Sequence, residues 1–201
     1  MKKLTWIFVL AVLGAGSLIA QSMRVLELQA GYMDPKGTPA GLIFGGNYGI
    51  SIDERVDVSF GLSYFHKSYK KETTVSSSTG PSGVTMTHVV QNYEYGTSLL
   101  PLAFNVTVHV PIQPPLSWYV GGGLSYQFLF QKENNYDDNV SFKHTYKSGG
   151  WQLRAGVEYQ IGSRSSLILE AFNNNCKVKS DDIEVDVSGI GFKAGVRVLF
   201  Y

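Results

Sequence analysis

From residue 24 to the end of the chain, bulky apolar side chains recur at every second position, separated by glycine, serine, amides or charges. Successive side chains of a β-strand point to opposite faces, so this period of two predicts strands with one apolar face. Eight such stretches can be read. Residues 24–33 put Leu26, Leu28, Ala30 and Tyr32 opposite Glu27, Gln29 and Gly31. Residues 41–52 set Leu42, Phe44, Tyr48 and Ile50 against Gly45, Asn47, Gly49 and Ser51, and residues 55–66 set Val56, Val58, Phe60, Leu62 and Tyr64 against Asp57, Ser59, Gly61 and Ser63. A fourth stretch, 92–110, carries Leu100, Leu102, Phe104, Val106 and Val108 opposite Asn105, Thr107 and His109; Pro101 removes a ladder donor there and predicts a bulge or an unpaired position. Residues 118–131 oppose Trp118, Val120, Leu124, Tyr126, Phe128 and Phe130 to Tyr119, Gly121, Gly123, Ser125 and Gln127. The clearest alternation is 150–161, where Trp151, Leu153, Ala155, Val157, Tyr159 and Ile161 interleave with Gln152, Arg154, Gly156, Glu158 and Gln160. Residues 166–176 are weaker, and the last strand, from about Val185, ends with Ile190, Phe192, Ala194, Val196, Val198 and Phe200 opposite Lys193 and Arg197.

The connections alternate in length. After the second, fourth and sixth stretches they are short (53–54, 111–117, 162–165); after the first, third, fifth and seventh they are longer and polar (34–40, 67–91, 132–149, 177–184). An even-stranded membrane barrel has short turns at one end, long loops at the other, and both termini on the short-turn side. The polar run Thr73 to Gly83 is flanked by strands of one pattern and reads as a loop, not a linker.

The N-terminus changes the setting. Met1-Lys2-Lys3, an apolar run from Leu4 to Leu13, small residues 14–17 and Leu18-Ile19-Ala20 follow the order of a cleavable secretory signal peptide, with the expected cut after Ala20. The expected organisation is thus a signal peptide over 1–20 and one domain over 21–201. With Lys2 and Lys3 removed, 15 basic residues face 16 acidic ones, a net charge of −1 that gives no footprint for nucleic acid. The single Cys176 permits no intrachain disulfide. Twenty-two glycines and 13% aromatic residues favour strands and turns.

An exported chain with amphipathic strands and no later helical span can enter a bilayer only as a closed sheet, because unpaired backbone groups do not persist in hydrocarbon. Eight strands leave a lumen just wide enough for side chains to fill, which suits the small polar set; the bulky apolar set then faces outward. Aromatics near the strand ends (Tyr64, Tyr93, Tyr95, Phe128, Phe130 and Trp151 at one end; Trp118, Tyr159, Phe200 and Tyr201 at the other) read as two interfacial belts.

With signal peptide, eight amphipathic strands and an aromatic terminus, the whole mature chain resembles the small outer-membrane β-barrel superfamily, which includes outer membrane protein X and the membrane domain of outer membrane protein A. The resemblance implies an all-β, eight-stranded antiparallel up-and-down transmembrane barrel in the outer membrane of a Gram-negative cell envelope. It implies contact with outer-membrane lipids and lipopolysaccharide, and with the barrel assembly machinery through Phe200 and Tyr201. Such barrels end on an aromatic of outward parity, here Phe200, which leaves Tyr201 as an extra residue.

Candidate chemistry is sparse. Glu27, Asp57, Glu158 and Glu170 share the inward face with Arg154, Lys193 and Arg197, and buried charges need partners, so a plug of ion pairs is expected, extended by Gln29, Asn47, Asn105, Gln127, Gln152 and Gln160. Arg154 is expected to face Glu158 or Glu170. The expected role is structural or surface-interactive, through loops 67–91 and 132–149, without enzymatic activity and as a monomer; a small porin-like channel is one alternative. The other is a lipid-modifying hydrolase: His66 and Ser68 lie two apart on one face, the arrangement used by lipid A deacylases, with Glu72 or Glu94 as the acid. Lys67-Ser68-Tyr69-Lys70-Lys71 forms a basic patch that suits lipopolysaccharide phosphates. His88 and His144 lack companions at metal spacing, so no metal and no cofactor is expected.

Overall fold

The computed structural model describes residues 23–53, 55–79, 85–135, 140–180 and 183–201; the expected signal peptide, 1–20, lies outside them. The elements are β1 (Met23–Pro35), β2 (Gly41–Ser51), β3 (Val56–Thr79), β4 (Thr85–Gln113), β5 (Leu116–Asn135), β6 (Val140–Gln160), β7 (Ser165–Asn175), β8 (Lys177–Ser180), β9 (Ile183–Asp186) and β10 (Gly189–Phe200). Neighbours pair antiparallel in chain order from β1 to β7; β7 pairs with β10, and β10 returns to β1. That last pairing, from Arg24↔Phe200 to Pro35↔Gly189, closes an eight-stranded barrel. The short β8–β9 hairpin stands outside the wall, and β8 touches β6 at Lys147↔Lys179. The eighth wall strand therefore begins at Gly189, and Val185 belongs to this extra hairpin.

The wall turns the usual distribution of residues inside out. Leu124, Phe192 and Leu169 on the outer surface are 74%, 66% and 60% exposed, while Glu27, Asp57 and Asn105 inside are 3%, 3% and 0% exposed. A sheet with this parity gains nothing from apolar burial in water and requires hydrocarbon around it. At Pro101 the β3–β4 ladder skips from Leu62↔Leu102 to Phe65↔Leu99 in unchanged register, so proline costs two pairs but makes no bulge. Its other side still pairs, with Gln127.

The barrel is taller on one side. β1, β2, β7 and β10 have 13, 11, 11 and 12 residues, whereas β3, β4, β5 and β6 have 24, 29, 20 and 21. The stretches expected as loops 67–91 and 132–149 are in large part continuing ladder, paired out to Thr79↔Thr85 and Asn135↔Val140. Thr, Val and Tyr favour extended backbone even where no apolar face is needed, so a polar strand in water carries no alternation to betray it. Register shifts between Lys71 and Glu72 and between Thr74 and Ser76 mark where the hairpin becomes irregular.

Candidate functional site: the barrel interior and the outer wall

The interior is built in layers by inward-pointing residues of all eight wall strands. Nearest the short-turn end, Arg197 of β10 places Nη2 2.6 Å from Asp57 and Nη1 2.9 Å from Glu158. His109 of β4 lies between the same two carboxylates, with Nε2 2.9 Å from Asp57 and Nδ1 3.0 Å from Glu158. One layer further out, Arg154 lies 3.1 Å from Glu27 and 3.4 Å from Glu170. Asn47 donates to Glu27 at 2.6 Å, and the Tyr119 hydroxyl donates to Glu170 at 3.1 Å. Tyr119 also lies under the Arg154 guanidinium, 5.5 Å from ring centre to Cζ. Its ring needs the space left by its register partner: a Cβ on Gly156 would come within 2.7 Å of it.

Above the charges come amides. Gln152 donates to Asn105 at 2.6 Å, Gln127 bonds Asn174, and Asn174 donates to the Val187 carbonyl at 3.0 Å. Lys193 differs from the other charged residues: its ammonium sits 4.3 Å over the Phe172 ring, a cation–π contact. Next to it remains a void of about 10 Å³, lined in part by Asn47, Gln152 and Glu170 and large enough for roughly one water.

The outer end of the interior is apolar, where an entirely polar lumen was expected. Met33, Ile43, Phe65, Leu99, Leu129, Tyr146, Phe172, Cys176, Val178 and Val187 form one buried cluster. Val178 comes from β8 and Val187 from the β9–β10 link, so the extra hairpin closes the top of the cylinder. The single Cys176 is part of this cap and is 2% exposed. At the opposite mouth a cavity of about 300 Å³, lined by Arg55, Arg164, Glu158 and Arg197 among others, reaches inward as far as the first charge layer.

All seven charges expected inside face the lumen, and of the two partners expected for Arg154 it meets Glu170 and not Glu158. Arg154 meets Glu27 and Glu170, whereas Glu158, four residues along the same strand, is held by Arg197 and His109. Gln160 lies exposed beyond the layers. His109 and Tyr119 are the interior residues that sequence reasoning did not count among the charged set; both already carried inward parity, and that parity was the available signal.

On the outer wall, above the last bulky apolar residues, the long strands carry a groove of about 390 Å³ whose lining includes His66, Ser68, Glu94, Ser98, Phe130 and Lys132. The His66–Ser68 pair expected as alternative nucleophilic machinery is not assembled as such. His66 Nδ1 shares a 2.9 Å hydrogen bond with Ser98 on the neighbouring strand, and the Tyr64 hydroxyl lies 3.2 Å from the same oxygen. Glu94 is approached by Lys70 at 4.0 Å and by the Asn134 amide at 3.4 Å. The other acid considered, Glu72, has its side chain outside the described residues, as do the side chains of His88 and Tyr93. Among the described residues no group of three His, Cys, Asp or Glu residues could hold a metal.

At the C-terminus, Phe200 lies on the wall with its ring 6.4 Å from Tyr48, and Tyr201 is 78% exposed with its ring under Arg164.

Solved structures share this architecture at low sequence identity, which speaks to the fold alone. The protein is similar to the neisserial surface protein A, NspA (18% identity, TM-score 0.57, covering 88% of this chain and 96% of that one). It is likewise similar to OprG of Pseudomonas aeruginosa (11%, TM-score 0.61, 90% and 96%). A third similar structure is the attachment invasion locus protein Ail of Yersinia pestis, solved with the heparin analogue sucrose octasulfate (10%, TM-score 0.51, 89% and 97%). No match arises among curated proteins. An inside-out eight-stranded wall, short turns at one end and tall hairpins at the other agree with a sequence match over residues 8–197, and the chain belongs to the family described as outer membrane protein beta-barrel domain, a barrel of the bacterial outer membrane.

Proposed function

We propose that this barrel is a sealed, non-enzymatic scaffold that holds two tall hairpins above the cell surface for contact with surface partners. The observation that carries this reading is that β3 and β4 stay paired from Val56↔Val108 out to Thr79↔Thr85, far past the last lipid-facing residues. A two-stranded ribbon of that length contributes nothing to closing the barrel. It is extra surface on a rigid base, the usual place for recognition. The filled interior supports the sealed half of the reading, since charge layers, amides and apolar cap succeed one another along the axis. The bond between His66 and Ser98, in place of one to Ser68, supports the non-enzymatic half.

Within this reading the inward charges hold the cylinder together, and the protein acts as a monomer. Phe200 and Tyr201 serve as the signal read by the assembly machinery, since β10 is the strand that pairs with both β1 and β7. Two measurements test the proposal. Refolded protein in planar bilayers should give no sustained conductance; reproducible channels would overturn the sealed scaffold. An epitope inserted within 80–84 should be labelled on intact cells, and labelling only after lysis would overturn the surface role.

A further inference from the structure

The outer-wall groove is organised in rows. His66, Ser98, Phe130 and Thr145 are consecutive register partners across β3, β4, β5 and β6, and so form one lateral row. The next row outward is Ser68, Gly96, Lys132 and Lys143. Two features of this second row are unusual. Lys132 and Lys143 are directly opposite one another, both exposed, so their ammonium groups share one face at cross-strand distance. Like charges placed this way destabilise a ladder. Gly96 leaves the middle of the row without a side chain; a Cβ there would find its nearest neighbour 4.0 Å away. The wall is therefore hollow beside an opposed pair of cations, with the Glu94 carboxylate lining the same groove from the next row. Lys70, from the basic patch expected at 67–71, is instead occupied with Glu94.

The height of the row decides what can fill it. Phe130, 44% exposed, is the outermost aromatic of β5 on the lipid side, and Lys132 is the next outward-facing residue, roughly 7 Å further along the strand. On β5 that is the level at which hydrocarbon gives way to headgroups; on β6 the exposed Lys147, register partner of Phe128, already brings a cation to that boundary two rows below Lys143. A group seated there has acyl chains below it, anionic charge at the lysines, and hydroxyl partners from Ser68, Ser98 and Thr145.

We infer that the Ser68–Gly96–Lys132–Lys143 row is a binding site for a phosphorylated glycolipid of the outer leaflet, with one phosphate bridging Lys132 and Lys143 and the sugar lying in the hollow over Gly96. A bridging phosphate converts the opposed cations into a clamp of charge-assisted hydrogen bonds. The site lies on the barrel wall and goes beyond the scaffold reading, so it stands even if the hairpins have no partner.

The test uses the full refolded protein in neutral detergent micelles, with binding of bisphosphorylated lipid A followed by native mass spectrometry. Lys132→Gln with Lys143→Gln should weaken binding by about tenfold or more, as should Gly96→Leu, which fills the hollow without touching charge. Lipid A stripped of its phosphates should bind the unchanged protein as weakly. Millimolar inorganic phosphate should not compete. Lys143→Glu provides the folding control: it turns the opposed pair into an attractive one, so it should raise the melting temperature in lipid-free detergent while abolishing the lipid A complex. Wild-type affinity in the double variant or in Gly96→Leu would overturn the site. So would equal binding of phosphate-free lipid A, and displacement by free phosphate would show an anion site with no lipid specificity.

Discussion

Toward the short-turn end the barrel interior is held by Arg154, Arg197 and His109 among four carboxylates; toward the tall-hairpin end it is held by Met33, Ile43, Phe65, Leu99 and Leu129 under a small hairpin. Both regions fill the same cylinder, yet they depend on different physics. Each charge in the lower region is there on condition that its partner stays, because an unpaired ion in a narrow lumen loses its hydration with nothing in return. The upper region has no such condition; its stability follows volume, and it weakens in proportion to what is removed. The difference matches their surroundings. The lower layer meets a cavity of about 300 Å³ open to the short-turn end, whereas the cap is shut by Val178 and Val187. Polar groups suit the wet mouth, and the dry end excludes water by packing.

The sharpest way to break this comparison is to remove one arginine. Arg154→Met removes the guanidinium between Glu27 and Glu170 and leaves Glu27 only the longer contact to Arg197, 3.9 Å, so it should cost about 3 kcal/mol or more. Urea unfolding in lipid vesicles measures it. The triple change Arg154→Met, Glu27→Gln and Glu170→Gln should recover most of that loss, and a loss equal to or greater than that of the single variant would show that pairing is not what holds this layer. In the cap, Leu129→Ala should cost about 3 kcal/mol and Leu129→Met far less, a graded response. An equal loss from both would mean that the cap is not packed by volume. Val157→Arg moves the test from the interior to the wall and should cost about 2 kcal/mol or more in bilayers if that side chain faces lipid near the midplane.

The smallest effect belongs to the outer hairpin. Lys179 and Lys177 hydrogen-bond Glu184, and these contacts hold its carboxyl below the ordinary glutamate range. A depressed acid contributes its stabilisation above its unfolded value and loses it as pH falls through the lowered one. The protection factors of the hairpin amides, which divide out the intrinsic slowing of exchange in acid, should therefore fall at acid pH with the global unfolding midpoint unchanged. Glu184→Gln should remove that pH dependence, and protection that still fell with acid would place the titrating group elsewhere.

Parity is a local property, and it was legible. Strand side chains alternate whatever the rest of the chain does, so the inward placement of Glu27, Asp57, Arg154 and Arg197 and the outward placement of Phe192 and Val196 follow from the residues alone. The apolar cap was less visible because it sits where alternation fails: Tyr64-Phe65, Leu99-Leu100 and Phe128-Leu129-Phe130 put bulky residues on both faces at once. The hairpins read as loops because composition registers solubility and says nothing of pairing.

The residues by themselves determined an eight-stranded, inside-out barrel, because period and turn length are each written along one dimension. Lys132 stands opposite Lys143 through the register of the β5–β6 hairpin, whereas which arginine holds which carboxylate, and that His109 lies between Asp57 and Glu158, were decided only when the sheet closed. Those contacts depend on register and on the distance across the lumen. Glu27 and Arg154 are 127 residues apart in the chain, and nothing local to either residue specifies the other.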